Sequence, residues 1–391
     1  MELNSTSRAL LAGIGCAALL AHILACTSFS PDDNQVLYPV FHQPSSTVRI
    51  AVYDRTTGRS ELVLPALPSD QTDTNRAPVL TRAQWLPDGK HILIASVAEI
   101  RGDSKLSLDL VPRGIKEPAR HHTDIAMSDS TGGILYRLCV AGSKLVMGDE
   151  KKLTRVDFLT GQTTTHENTN KVILALGGDG NTITAIIEEG EKGGSVFGVL
   201  DPQTMAFSPM LTLTNNICKA LKGTFPTFNP KERQAAVITD NEGKVQLQIV
   251  NAKGVTFSRS IECASTNTMI VGLGPWLDVG PRNDRAFTAY ICQVADEKDA
   301  EYGVVEIPFN HEPLRWIALF RAGTPRDGDL LHAQASLSHD GKTVALATSY
   351  LYLENKSLTP EDCALFIVET GQPVPRITKV PIAPPQERRG F

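Results

Sequence analysis

The feature that most limits what this chain can fold into is a turn that returns about every 50 residues. Leu86-Pro87-Asp88-Gly89-Lys90 and Ser338-His339-Asp340-Gly341-Lys342 are the clearest copies, and Ser30-Pro31-Asp32-Asp33 is a third. Its physics is local. Proline fixes φ at the entry, aspartate can accept from the backbone just ahead, and glycine takes φ > 0 without a steric penalty. The flanking residues alternate apolar and polar, as in "AQWLPDGKHILIASV" and "ASLSHDGKTVALATS". That period of two is the mark of half-buried strands. Weaker copies centre on Asp179, Lys231 and Asp284.

A second turn follows about 20 residues later, with the pattern D-x-x-T-G at Asp54–Gly58 and Asp157–Gly161. Asp201-Pro-Gln-Thr204, Asn251-Ala-Lys-Gly254 and Glu369-Thr-Gly371 are its relatives, each at the end of an apolar strand. One unit is therefore strand, turn, strand, loop, strand, turn, strand: four antiparallel strands, the size of a propeller blade. The step from Asp88 to Asp179 is nearly double the others. It conceals a degenerate unit, residues 134–162, with Gly142-Ser143 as its first turn. The count is then seven. The predicted fold is all-β: a seven-bladed β-propeller of four-stranded antiparallel blades, with six or eight blades as the alternative counts. The period is too long for the rungs of a β-helix, and the strands are too many for one sandwich.

The turn pattern resembles the TolB-type β-propeller repeat, a relative of WD-type repeats found in bacterial envelope proteins. The resemblance runs from about Phe29 to Ile382. It is strongest at Leu86–Lys90 and His339–Lys342, moderate at Ser30–Asp33 and weak in the middle units. It implies a propeller fold and an envelope setting. TolB also carries a separate N-terminal α/β domain, for which this chain has no room, so no TolB partner is carried over.

The N-terminal segment reads as an export signal. Residues 1–8 are polar with Arg8 at their end, and Ala9 to Ala25 carry no charge. That length suits the helical core of a signal peptide and is marginal for a membrane span. Ile23-Leu24-Ala25-Cys26 resembles the lipobox of bacterial lipoproteins, which implies that Cys26 is lipidated and becomes the mature N-terminus. Ordinary cleavage and a retained anchor are the alternatives, and all three export the rest of the chain. Thr27 rather than aspartate after the cysteine resembles an outer-membrane signal. The expected organisation is a signal peptide over 1–25, a propeller over 26–382 that begins almost at the anchor, and an extended tail over 383–391.

Composition narrows the function. The chain has 391 residues, 41% hydrophobic and 21% charged, with a formal net charge of −5. It is globular, and without a basic patch nucleic acid is excluded as an expected partner. The motifs G-x-S-x-G, H-E-x-x-H, C-x-x-C, the P-loop and the EF-hand loop are all missing. His121-His122 with Asp124 reads as a solvated loop, because adjacent histidines on an extended chain point opposite ways. No metal and no cofactor are expected, and the protein is expected not to be an enzyme.

Beyond Cys16 and Cys26, five cysteines remain. Cys218 and Cys263 lie about one repeat apart, which places them on neighbouring blades at similar depth. They are candidate partners in a disulfide, with two separate thiols as the alternative. Cys139 and Cys292 read as small buried residues within strands.

In a propeller the first-to-second and third-to-fourth turns share one face, and the other connections share the opposite face. Here the first set is short. The second is long and charged, and Glu188, Glu189, Glu191, Asp296, Glu297, Asp299 and Glu301 make two of its loops acidic. Long loops on a rigid frame are where binding concentrates. The expected function is a non-catalytic envelope lipoprotein, held to the membrane by its lipid, whose propeller is a scaffold for envelope protein partners. The alternative is a propeller that binds or hydrolyses a small molecule, glycan or peptide in its central funnel. Ring closure is expected to rest on packing between blades one and seven, through residues such as Val36, Leu37, Val344, Leu346 and Phe366.

Overall fold

Each pair of turns seeds one sheet. The structure, a computed structural model, describes residues 27–42, 47–63, 79–100, 103–113, 120–126, 138–148, 152–158, 160–167, 171–179, 182–189, 194–212, 227–229, 233–241, 244–261, 278–279, 284–293, 299–310, 312–323, 331–350 and 364–381. Among these every regular element is a strand, and the strands form seven four-stranded antiparallel sheets, each in sequence order.

The first sheet holds Ser28–Phe29, Gln35–His42, Thr47–Asp54 and Arg59–Val63. The second holds Val79–Trp85, His91–Ile100, Asp103–Pro112 and Arg120–Ala126. The third holds Leu138–Ala141, Lys144–Gly148, Lys152–Asp157 and Thr163–Glu167. It is the degenerate unit, and Ala141 pairs with Lys144 across the expected Gly142-Ser143 turn. The fourth holds Lys171–Asp179, Thr182–Glu189, Gly194–Leu200 and Phe207–Thr212. The fifth holds Thr227–Asn229, Gln234–Asn241, Lys244–Asn251 and Gly254–Ser260. The sixth holds Asp278–Val279, Arg285–Gln293, Asp299–Pro308 and Arg315–Gly323. The seventh holds Leu331–Leu337, Thr343–Tyr350, Ala364–Glu369 and Arg376–Pro381.

Side chains alternate across a strand, so each sheet has two faces, and both are apolar. Leu37, Ile50 and Val63 of the first sheet pack on Ala83, Trp85, Ile92 and Ile94 of the second. Leu93, Leu106 and Leu108, from the opposite face of the second, meet Leu145, Met147 and Val156 of the third. The third continues into the fourth through Val146, Leu153, Ile183 and Ala185. The fourth and fifth touch through their innermost strands. Leu247 and Ile249 of the fifth meet Tyr290, Val305 and Ile307 of the sixth, and Val304 and Ile317 of the sixth meet Val344 and Phe366 of the seventh. The succession returns to its start. Val36, Tyr38, Ala51 and Tyr53 of the first sheet share a cluster with Ala345, Ala347, Leu365 and Ile367 of the seventh.

That last cluster corrects the expected contacts between the end sheets. Of the five residues expected there, Val36 alone lies at the seam. Leu37 faces the second sheet, and Val344, Leu346 and Phe366 face the sixth. The reason is parity: one residue along a strand is the opposite face. Sequence shows that both faces are apolar but not which neighbour each one meets. A second correction concerns His121, His122 and Asp124. They lie in the fourth strand of the second sheet, with His121 opposite Asp109, not in a loop.

Two glycines mark where the third and fourth strands bulge together. The register shifts between Phe197 and Gly198, and between Tyr302 and Gly303. A Cβ on Gly303 would lie 2.2 Å from the Ile317 carbonyl oxygen and 2.8 Å from the Tyr290 ring. By contrast, Gly58 has φ of +68° and nothing near its missing Cβ. Gly303→Ala is therefore expected to destabilise the fold by about 3 kcal/mol or more through backbone overlap. Gly58→Ala should cost about 1 kcal/mol through its positive φ alone. Urea unfolding of the two variants checks the order.

Candidate functional site

The tight turns gather polar side chains on one rim, and their geometry repeats. Three first turns share one frame: Ser30 N–H donates to Gln35 O at 2.9 Å, Leu86 N–H to His91 O at 2.9 Å, and Ser338 N–H to Thr343 O at 2.8 Å. Ser30 Oγ donates to Asp32 Oδ1 at 2.6 Å and accepts from Gln35 N–H at 2.9 Å. Ser338 does the same with Asp340 and Thr343, at 2.6 and 2.9 Å. In the second sheet leucine replaces this serine. Asp88 there accepts from Lys90 N–H at 2.8 Å and from His91 Nδ1–H at 2.7 Å.

The second turns cap themselves. Asp54 Oδ1 accepts from the Thr56 hydroxyl at 2.6 Å and from the Thr56 and Thr57 amides at 2.9 Å. Asp201 Oδ1 accepts from the Gln203 and Thr204 amides at 2.7 and 2.9 Å. Gly58, Gly161 and Met205 then occupy equivalent places. Each donates its amide to the turn aspartate's carbonyl at 2.8 Å, and each has positive φ. Met205 accepts that backbone conformation while its side chain packs, 7% exposed, between the third and fourth sheets.

These bonds keep the carboxylates ionised. The Ser30 hydroxyl, the Asn34 amide and Arg113 hold Asp32 down to about 2 against the opposing effect of burial. The Thr56 hydroxyl and Thr57 amide hold Asp54 well below the ordinary carboxylate range. Burial opposes the shift at Asp340, but the Ser338 hydroxyl and Lys342 amide outweigh it. Such groups are fixed acceptors, not proton donors, at neutral pH.

Arginines tie one sheet to the next along the same rim. Arg155 of the third sheet donates to the Pro202 and Gln203 carbonyls of the fourth. Arg259 of the fifth donates to the Pro308, Asn310 and Glu312 carbonyls of the sixth. Arg315 of the sixth reaches the Thr370, Gln372 and Pro373 carbonyls of the seventh. Between them the carboxylate of Glu306, 3% exposed, is paired with Arg285 and lies 3.5 Å from Arg315. Arg113 of the second sheet forks onto Asp32 of the first, with both nitrogens at 3.1 Å. Planar guanidinium groups suit such multi-acceptor sites. The chain's repeats did not single these arginines out, because they occupy several strand and turn positions. The turns that receive two of them, Asp201–Thr204 and Glu369–Gly371, were legible as relatives of D-x-x-T-G.

The residues expected to bind lie on the other rim or outside the described residues. Glu188 and Glu189 end the second strand of the fourth sheet, opposite Ser195 and Gly194, rather than sitting in a loop. Asp299 opens the third strand of the sixth sheet, and Glu301 lies within it. Glu301 accepts from the Tyr290 hydroxyl at 2.9 Å, and its other oxygen is 3.7 Å from Arg321 Nε. Tyr290 is 2% exposed and Glu301 about one quarter. Glu191, Asp296, Glu297, Cys26, Cys218 and Cys263 lie outside the described residues. Cys139 is buried in the innermost strand of the third sheet. Among the described residues no group of three histidine, cysteine or acidic side chains is placed to hold a metal ion.

No protein-family model matches the sequence, and no curated protein is significantly similar to it. Solved structures do resemble it. A structure from a study of two prolyl endopeptidases superposes with a TM-score of 0.56 at 12% identity, over 97% of this chain and 55% of that one. The fold is a β-propeller. The chain spans about half the length of that endopeptidase structure (55%). The Dos1 propeller is more distant, with a TM-score of 0.48 at 8% identity over 91% of this chain and 83% of that one. TolB from Acinetobacter baumannii has a TM-score of 0.42 at 12% identity, over 86% and 77%. The expectation that the protein is not an enzyme is corrected here. The frame read from sequence as a scaffold is matched across almost its whole length to an enzyme structure.

The turn carboxylates imply an acid-labile rim. A depressed folded-state pKa adds stability that is complete above the unfolded value and disappears as pH falls toward the folded one. For Asp32 that window runs from 3.8 down to about 2. The unfolding temperature should be flat from pH 7 to pH 5 and fall below pH 4. Asp32→Asn should be less stable than the parent at pH 6, with the gap narrowing at pH 2.5. Calorimetry over that range checks both.

Proposed function

We propose that this protein is an exported propeller, lipidated at Cys26, whose seven sheets close into a ring. The rim opposite the tight turns takes a peptide ligand at the mouth of the central channel. The observation that carries this reading is the division of labour between the two rims. On the tight-turn rim the carboxylates and arginines are committed to backbone groups and to neighbouring sheets. On the other rim Glu301 is held ready by Tyr290 and Arg321 and keeps an exposed edge. Asp296, Glu297 and Asp299 precede it in the sequence, and Glu188, Glu189 and Glu191 fall between the second and third strands, or at the end of the second, in the fourth sheet. A negative mouth on a rigid frame suits a basic ligand. The endopeptidase likeness supports peptide as the ligand class, and the lipobox-like Ile23–Cys26 supports the anchor.

Two experiments test the two halves. Proline-containing peptides with and without lysine or arginine are titrated onto the purified chain, and the mixtures are examined by mass spectrometry for cleavage. Basic peptides should bind in preference to acidic ones, and Glu301→Gln should weaken them by about tenfold. Equal binding of acidic and basic peptides would sink the reading. For the anchor, fatty-acid labelling of expressing cells should mark the parent protein. Label that persists in Cys26→Ala rules that site out.

A further inference from the structure

The three equivalent first turns differ at one position, and the difference falls where the end sheets meet. The fourth residue of the turn is Gly89 in the second sheet, Gly341 in the seventh and Asp33 in the first. All three have positive φ, at +63°, +69° and +56°. Glycine is the natural occupant of that conformation, and a residue with a Cβ is strained there. A side chain placed here points backward, toward the turn of the preceding sheet. A Cβ on Gly89 would lie 3.8 Å from the Pro31 ring of the first sheet. The same geometry aims Asp33 at the seventh.

Its carboxylate is used fully. Oδ1 accepts from His339 N–H at 2.8 Å and from His339 Nδ1–H at 2.9 Å, and Oδ2 accepts from Asp340 N–H at 3.1 Å. A carboxylate can only accept, which makes Nδ1 the donor. Arg55 completes the contact. It follows the third strand of the first sheet as Arg113 follows that of the second. One of its nitrogens donates to Asp33 O at 2.7 Å, and the other lies 3.3 Å from Thr343 Oγ1 in the seventh sheet. The guanidinium sits over Phe29, as that of Arg113 sits over Trp85. The Arg55 charge also acts on Asp340, as that of Arg113 acts on Asp32. The seam thus repeats an ordinary junction between sheets and adds the Asp33 carboxylate. No described strand is exchanged across it, since Ser28–Phe29 pairs within its own sheet.

We propose that Asp33 is a ring-closing clasp: a strained residue whose carboxylate holds the first turn of the seventh sheet and stands in for a shared strand. Opening of the seam is then governed by this side chain, and the rest of the frame stays folded. The test is hydrogen exchange on the full chain, comparing Asp33→Gly and Asp33→Asn with the parent. Glycine keeps the turn and relieves its strain but removes every acceptor. Asparagine keeps one acceptor and tolerates positive φ. Exchange in residues 35–42 and 343–350 should rise by about tenfold or more in Asp33→Gly and by less in Asp33→Asn. Exchange in 182–189 and 244–251 should not change. Unaltered exchange at the seam, or a rise shared equally by all sheets, overturns the proposal. If Asp33→Gly does not fold, Asp33→Asn alone decides, by whether its rise is confined to the first and seventh sheets.

Discussion

A sheet that is apolar on both faces must be covered on both sides. Everything else in this structure follows from that requirement. A two-sheet sandwich covers one face of each sheet and leaves the other to water. A row of sheets leaves two faces bare at its ends. Only a succession that returns to its start covers all of them, and the shared cluster of the first and seventh sheets is the point of return. The short turns are a consequence. To present the same two faces to two neighbours, each sheet must hold its four strands in register, and capped hairpins do this with few residues.

Polar groups at the rim follow the same logic. Where two sheets meet, their turns end in unpaired carbonyls and amides, which are costly if left without partners as packing closes around them. Arginines from one sheet and aspartates from another meet that demand. This rim is thus better read as joinery than as a reactive surface, although a search for clusters of acids and bases would stop there first. The Arg285–Glu306–Arg315 ion group links three neighbouring strands of the sixth sheet, and its worth lies in fixing their geometry more than in added stability.

The fold was largely legible because its signals are local. Asp88-Gly89, Asp340-Gly341 and Asp54–Gly58 each dictate a turn within a few residues, and the Gly142-Ser143 turn revealed the least regular sheet by spacing alone. Three things were not legible, each for a physical reason. The neighbour met by Val344 or Leu346 depends on the parity of a strand within an assembled frame. Glu188 and Glu301 look like loop residues because charge at a strand end and charge in a loop read alike. Asp33 made its turn only a moderate match to the repeat, because its worth lies in a contact with residues more than 300 positions away. Of the candidate site, the acidic character was visible in sequence. The Tyr290 and Arg321 partners that hold Glu301 were not.

Each described sheet is also made from one uninterrupted stretch of chain, with no strand lent to a neighbour. The unit of change in such a molecule is therefore a whole sheet. Duplicating or losing about 50 residues between two connections adds or removes one complete module and breaks no strand pairing. A frame locked by a shared strand has a fixed beginning. Here no described strand is shared, and among the described residues the first and seventh sheets meet only through side chains. A frame built this way can change its number of sheets without breaking a strand pairing, provided that the first and last can still grip one another.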